Sequence, residues 1–211
     1  YLEILTHIGH SGKVLVMRAF ISILVLIFNL QSFTKADDIG DFEIEGMSIG
    51  DSLLDHFDEN KIKISLQNSY YYPKSKKFKV ITFVATNSDI YERYDIHIKN
   101  NDKNYIIYSV KGGVKLSIDK CLIKKKSIIS EIEKIFLTAE KRNYKDGYGD
   151  SYGKSSADIT DLKLTNGRIR VWCADYDQNN EKVKSNRWYD GLWVNISSKE
   201  QIDFVINEAY K

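Results

Sequence analysis

The sequence predicts an α+β fold in which helices cover one face of an antiparallel sheet. Three observations lead to this prediction. The stretch from Asp119 to Arg142 has the strongest helical pattern in the chain. Runs of alternating apolar residues lie before and after it, and short polar turns separate them. Short connections favour antiparallel hairpins, and helices between groups of strands are typical of an α+β layer.

The central helix is predicted from apolar residues spaced three and four apart, which is typical of a helix that packs on a core. Its stripe is formed by Ile128, Ile132, Ile135 and Ala139. Asp119 is the candidate N-cap, because its carboxylate can accept hydrogen bonds from the open backbone amides. Cys121 lies two turns before Ile128 on the same stripe, so it is expected to face the core.

Before the central helix, the sequence predicts a short strand at 41–45 and then a helix over 46–57. Ser48 and Asp51 form a capping-box pattern at the start of that helix. Residues 67–77 are predicted to be an irregular connection. Three strands are then predicted from β-branched and aromatic residues. They span 78–86, 91–99 and 105–116.

After the central helix, residues 143–156 are predicted to be a loop. Asn166-Gly167 favours a type I′ turn, which predicts a hairpin between 159–165 and 168–176. A strand over 188–196 and a last helix, capped by Ser198, complete the chain. The order of elements is consistent with two helix-plus-three-strand units.

Residues 17–36 have the pattern of a secretory signal peptide. Arg18 supplies the positive charge, and residues 19–30 form an apolar run. Small residues precede Asp37, which is the expected first residue after cleavage. The apolar run is shorter than the roughly 20 residues of a membrane-spanning helix. An uncleaved anchor is the alternative, and it would be the only membrane attachment.

The remaining organisation follows from this prediction. Residues 1–16 are predicted to be an upstream extension of the reading frame, with Met17 as the natural start. Residues 37–211 are predicted to form a single domain that is periplasmic or secreted.

The charge balance argues against a nucleic-acid binder. Residues 1–36 hold three of the 31 basic residues and one of the 29 acidic residues, which leaves 28 of each in the rest of the chain. Nucleic-acid binding requires a basic excess that neutralises phosphates. The sequence therefore predicts no nucleic-acid partner.

The two cysteines of the chain are predicted to form a disulfide. Cys173 alternates with Ile169 and Val171, so it should share their strand face. Cys121 and Cys173 would then face each other across the core, and export to an oxidising space favours their pairing. The alternative is two free buried cysteines, which pack as small apolar side chains.

Gly46-Met47-Ser48-Ile49-Gly50 matches the G-x-S-x-G pattern of serine hydrolases. Too few residues precede it to supply the strands that flank such a nucleophile. His97 is the candidate base that a hydrolase of this kind would use. We expect Ser48 to be a helix cap and the protein not to be an enzyme.

Two other stretches resemble ligand sites incompletely. Residues 147–155 end like a phosphate loop, but Tyr148 stands where a glycine is required. Asp175 and Asp177 match the first ligands of a calcium loop, but Asn186 stands in place of the final glutamate. We therefore expect no metal and no cofactor.

The aromatic residues supply the candidate binding surface, which comprises Trp172, Trp188, Tyr189 and Trp193. Trp172 is out of phase with Cys173, so it should lie on the sheet face away from the central helix. An exposed aromatic patch there would mark a protein or glycan partner. The alternative is that both sheet faces are partly covered. The Tyr/Gly-rich loop at 143–156 is a second candidate surface.

The segments GMSIGDSLLD, VWCADYD and WYDGLWVNISSKE resemble uncharacterised exported proteins of marine bacteria with AT-rich genomes. This resemblance covers nearly all of residues 37–211 and implies no activity. More loosely, the Gly-Met-Ser helix start followed by antiparallel strands is similar to the SmpA/BamE-like lipoproteins and the β-lactamase-inhibitor-protein fold. Those proteins bind other proteins and catalyse no reaction. The chain departs from the lipoproteins because no cysteine follows the apolar run.

Together these observations predict an exported, non-catalytic domain that binds an envelope or extracellular protein. The alternatives are an exported serine hydrolase that uses Ser48 and His97, and a glycan-binding module.

Overall fold

The computed structural model describes residues 38–85, 88 and 90–211. Its helices are α1 (Glu59–Gln67), α2 (Ile118–Ile135), α3 (Glu181–Ser185) and α4 (Lys199–Asn207). Its strands are β1 (Tyr70–Tyr72), β2 (Ser75–Val84), β3 (Arg93–Lys99), β4 (Ile107–Lys115), β5 (Glu140–Gly147), β6 (Ser156–Lys163), β7 (Gly167–Asp175) and β8 (Gly191–Ser198). The predicted extension at 1–16 and signal peptide at 17–36 lie outside the described residues.

All eight strands form one antiparallel sheet with the order β1-β2-β3-β4-β8-β7-β6-β5. Each half is a meander of four consecutive strands, and the two halves meet where β4 pairs with β8. The predicted α+β class with an antiparallel sheet is therefore confirmed. The predicted three-strand units are not confirmed, because four strands follow α1 and four follow α2.

The two additional strands are the two edges of the sheet. β5 lies where the sequence predicted the end of the central helix and a loop. All of its side chains except Tyr144 are exposed, so it shows no apolar alternation. Its charged side chains are typical of an edge that resists pairing with other chains. The helix α2 instead ends at Ile135, and Phe136 is its C-cap.

One sheet face, here called the core face, packs against α1 and α2. Ile62 of α1 and Ile129 and Ile132 of α2 are buried in the same apolar cluster as the core face of the sheet. The strands contribute Ile81, Phe83, Ile96, Ile98, Val110, Ile169, Val171, Val194 and Ile196 to it. Of the predicted stripe, Ile132 is buried against the sheet, Ile128 and Ile135 are half-buried beside it, and Ala139 lies beyond the end of α2.

The predicted disulfide between Cys121 and Cys173 is present, with both residues fully buried. Cys173 lies on the core face of β7, in phase with Ile169 and Val171. The bond joins the first turn of α2 to the sheet across a sequence separation of 52 residues.

The helix α4 packs on the opposite sheet face, so the prediction that all helices share one face is wrong. Phe204 of α4 contacts Phe78. Phe78 is three residues from Ile81 on β2, an odd separation, so its side chain points away from the core face. The amphipathic pattern of α4 identified a buried stripe but carried no information about which face it covers.

The helix caps differ from prediction at two places. The N-cap of α2 is Ser117, and Asp119 lies inside the first turn. The second difference is near the N-terminal end. The helical turn there is a short 3-10 turn at Leu53–Asp55, and its capping box is formed by Ser52 and Asp55. Ser48 instead donates its hydroxyl hydrogen bond to backbone carbonyls, while its amide binds the Asp51 carboxylate at 2.8 Å. At α4, Ser198 accepts a hydrogen bond from the Gln201 amide.

Within the described ranges, no helix combines the length and apolar character that crossing a membrane requires.

Replacing both Cys121 and Cys173 with alanine should lower the free energy of unfolding by about 4 kcal/mol, because the unfolded chain loses a closed loop of about 50 residues. Urea titration of the oxidised wild type and the double variant measures this difference. A reductant should destabilise the wild type and leave the double variant unchanged. Equal stability of the two proteins without reductant would contradict the prediction.

Candidate functional site

A groove with a volume of about 500 Å³ lies on the sheet face opposite α2, here called the groove face. The helix α4 and Tyr210 border one end of it, and Trp172, Tyr148 and Asp146 lie farther along the strands. Its floor is formed by His97, Ser109, Lys111, Arg168, Arg170, Asn195 and Ser197. This volume is within the usual range of ligand pockets.

Strand alternation places the floor residues in two rows across the sheet. The first row runs through His97, Ser109, Ser197 and Arg168, which are direct neighbours on β3, β4, β8 and β7. The second row runs through Asp95, Lys111, Asn195, Arg170 and Asp161. Every one of these residues is polar, so the groove face differs sharply from the core face.

The hydroxyl groups of the first row belong to a closed hydrogen-bond network. Ser109 and Ser197 share a hydrogen bond at 2.9 Å. Asn195 donates to the Ser109 hydroxyl at 2.8 Å and accepts from the Ser197 hydroxyl at 2.9 Å. Both serines are almost fully buried. Because each hydroxyl is held by two partners, the floor has a fixed pattern of polar atoms.

The helix α4 is tied to the floor through His97. The Tyr72 hydroxyl forms a hydrogen bond with His97 Nδ1 at 2.8 Å, and Gln201 donates to the same hydroxyl at 3.1 Å. Burial, reinforced by the nearby Lys111 ammonium, lowers the pKa of His97 to about 3. Burial also raises the pKa of Tyr72. Both side chains are therefore neutral at physiological pH.

Asp95 is the most deeply buried charge of the groove face, with no exposed surface. Burial alone would raise its pKa, but Lys111 and Arg93 outweigh that effect and hold the pKa at about 2. The contacts are 2.6 Å from Lys111 Nζ and 2.7 Å from Arg93 Nη2. The carboxylate is thus charged and fixes two cations beside the groove.

The second carboxylate, Asp161, is held mainly by Arg170. Arg170 binds it in bidentate fashion, with distances of 2.6 Å from Nε and 2.8 Å from Nη2. Arg168 approaches the same carboxylate only to 3.7 Å. Its Nε atom is buried and has no hydrogen-bond partner among the described residues. Arg168 is therefore the cation of the floor whose donors are least satisfied.

The structure separates the predicted aromatic surface into two clusters. Trp193 stacks between Trp172, at 6.0 Å, and Tyr189, at 5.8 Å. Trp188 instead stacks on Tyr152 at 5.0 Å. Trp193 is only 8% exposed, because Arg93 and Lys111 also lie over its ring. The predicted phase of Trp172 is correct, and this residue does line the groove.

The second candidate surface, the Tyr/Gly-rich loop, packs internally. Tyr148 and Tyr152 contact Trp188, and Tyr176 joins the same cluster. Asp177 accepts a hydrogen bond from the Lys154 amide at 3.2 Å, which holds the loop to the turn after β7. Asp177 thus stabilises this turn through its hydrogen bonds to backbone amides. Within the described ranges, no group of acidic, histidine or cysteine side chains is placed to hold a metal ion.

Ser48 and His97, the pair that a hydrolase would need, are engaged separately. The Ser48 hydroxyl is 2.9 Å from the carbonyl oxygens of both Gly40 and Phe42. His97 is engaged by Tyr72 on the groove face. The structure describes no hydrogen bond between the two residues.

Sequence reasoning did not identify Arg168, Arg170 or Lys111 as site residues. The sequence of β7 could have predicted two of them. The alternation that places Cys173 on the core face also places both arginines and Trp172 on the other face. No comparable signal predicted that β4 and β8 would bring Lys111 and Asn195 beside them.

No protein-family model matches this sequence, and comparison with curated proteins and with solved structures finds no match.

Replacing Asp95 with asparagine should lower the free energy of unfolding by about 3–5 kcal/mol, because two partly buried cations lose their common partner. The matched control is Asp203→Asn, which removes an exposed ion pair with Lys199 and should cost less than about 1 kcal/mol. Urea titration of both variants measures the difference. Similar costs for the two changes would contradict this account of Asp95.

The free energy of unfolding should decrease as the pH falls below 6.5, because His97 stays neutral in the folded protein but is protonated in the unfolded chain. The folded pKa of about 3 is below the ordinary value of 6.5, so the unfolded chain binds the proton first. The loss should begin near pH 6.5 and reach at most about 1.4 kcal/mol per pH unit. Urea titrations between pH 7 and pH 4.5 measure the slope. His97→Gln should flatten it, and a slope unaffected by that change would contradict the assignment.

Proposed function

We propose that the protein is an exported, non-catalytic binding domain whose groove receives a segment of another protein. The observation that carries this proposal is the groove itself, which combines a fixed polar floor with apolar side chains along α4. Ile206 and Tyr210 line the groove and are 58% and 63% exposed. Large apolar side chains exposed beside a concave polar floor favour an interaction surface.

The chemistry of the floor favours binding over catalysis. A nucleophilic serine requires an adjacent base that can take its proton. Here Ser109 and Ser197 are bonded to each other and to Asn195. The low pKa of His97 makes this residue a poor base. Labelling by a fluorophosphonate that disappears in Ser48→Ala would favour the serine hydrolase instead.

Export is supported by the disulfide, because such bonds persist in oxidising compartments and are rare in the cytosol. The signal-peptide pattern of residues 17–36, which lie outside the described residues, predicts the same compartment. The proposed partner is therefore a protein of the cell envelope or the extracellular space.

A protein partner fits the groove better than a glycan does. Sugars bind through ring faces that stack on exposed aromatic planes, but Trp172, Trp193 and Tyr189 stack on one another. The exposed apolar side chain of α4 itself, Ile206, is aliphatic, and the exposed ring of Tyr210 lies after the end of the helix. Aliphatic side chains of a partner can pack there and bury apolar surface.

The substitution Ile206→Asp should weaken binding of a partner peptide at least tenfold, because it places a charge on the apolar border of the groove. The partner peptide is obtained by selecting hexapeptides displayed on phage against the immobilised wild-type protein. The dissociation constants of the synthetic peptides are then measured by fluorescence anisotropy.

The matched control is Ile123→Asp, which changes an isoleucine of α2 that is 73% exposed, against 58% for Ile206, and lies on the other side of the sheet. This control should bind the selected peptides as the wild type does. Equal weakening by both changes, or by neither, would contradict the placement of the binding site in the groove.

A further inference from the structure

We propose that the groove recognises an acidic segment of its partner, and that Arg168 binds a carboxylate of that segment. This inference rests on the proposed function and specifies the chemistry of the ligand. It is drawn from the arrangement of Arg168 and the charges around it.

The donors of Arg168 are only partly used within the protein. Its Nε atom is buried without a partner among the described residues, and its Nη1 atom is 3.7 Å from Asp161. That carboxylate already accepts two short hydrogen bonds from Arg170. The Arg168 side chain is 27% exposed, so its terminal N–H donors can meet an acceptor supplied by a ligand. A carboxylate there would form charge-assisted hydrogen bonds, which are stronger than neutral ones. Burial and the neighbouring Arg170 also lower the pKa of Arg168, as expected for a cation that lacks a full counter-charge.

The charge balance of the floor indicates a monoanion. Asp95 lies between Lys111 and Arg93, and Asp161 lies between Arg170 and Arg168. Each carboxylate therefore faces two cations, and the floor has an excess of positive charge. Asp146 contributes a negative charge to the lining and reduces this excess. A single carboxylate matches the remaining charge, whereas a doubly charged phosphate would be repelled by these acids.

The geometry around Arg168 favours a planar carboxylate followed by an apolar group. A guanidinium presents parallel N–H donors that fit a carboxylate in bidentate fashion. The groove also exposes apolar surface at Ile202, Val205 and Ile206 of α4. Along β7, Trp172 lies about 13 Å from Arg168, given the rise of about 3.3 Å per residue in a strand. A short peptide can span this distance. Its Asp or Glu side chain would bind Arg168, and neighbouring aliphatic side chains would pack on α4.

The test compares matched peptides on the wild-type protein. Hexapeptides selected from a phage-displayed random library should be enriched in Asp or Glu next to aliphatic residues. For the synthetic peptides, replacing the acidic residue by its amide, Glu by Gln or Asp by Asn, should raise the dissociation constant at least tenfold. This comparison needs no variant of the protein and is therefore independent of any effect of mutation on folding.

Three variants then locate the carboxylate. Arg168→Gln should abolish the preference for the acid over the amide, and Arg168→Lys should retain part of it. Arg187→Gln is the control, because Arg187 is an exposed arginine in the turn between α3 and β8 that does not line the groove. It should leave both dissociation constants unchanged. Thermal unfolding by circular dichroism verifies that each variant is folded.

The outcomes separate this inference from the proposed function. Peptides that bind in the groove with equal affinity for acid and amide forms would overturn the acidic ligand and leave the protein-binding function intact. A preference for the acid that persists in a folded Arg168→Gln variant would overturn the role of Arg168. If no peptide is enriched, or if a polyuronate binds where peptides do not, both the acidic peptide and the protein-binding proposal fail.

Discussion

The pairing of β4 with β8 is the interaction on which the rest of the structure depends. It joins two meanders of four strands into one sheet, from Ser109 opposite Ser197 to Lys115 opposite Gly191. Glycine is required at this seam. A Cβ atom on Gly113 would lie 2.2 Å from the Trp193 ring, so only glycine lets that ring lie across β4. Because side chains alternate along a strand, the register of this pair decides which residues share each face.

That register places the apolar core on one face of the sheet and the groove on the other. The core face is apolar and is fixed by α2 through the Cys121–Cys173 disulfide. The groove face carries two rows of polar side chains, and the most buried of them are satisfied by one another. Well-packed apolar side chains could have stabilised this face equally well. The arrangement of charges on this face therefore supports the proposal that the groove binds a ligand.

The sequence predicted what depends on local periodicity. The central helix, the phase of Cys173 and Trp172, and the hairpin of β6 and β7 all follow from spacing within one segment. The predicted type I′ turn is wrong, because neither Asn166 nor Gly167 has the positive φ that it requires. The edge strand β5 was not predictable in this way, since its exposed charged residues carry no alternation. The side covered by α4 was not predictable either, because an amphipathic stripe does not specify its partner. The site residues were predictable only in part. The sequence shows that Arg168 and Arg170 share one face of their strand, but their position beside Lys111 depends on long-range strand pairing.

The register of β4 against β8 is the most direct test of this account, and cross-strand nuclear Overhauser effects measure it. We expect contacts that place Ser109 opposite Ser197 and Gly113 opposite Trp193. This result would put His97, Ser109, Ser197 and Arg168 in one row on the groove face. A register shifted by one residue would place the groove-face side chains of β4 beside the core-face side chains of β8. It would separate these four residues and contradict the groove as described.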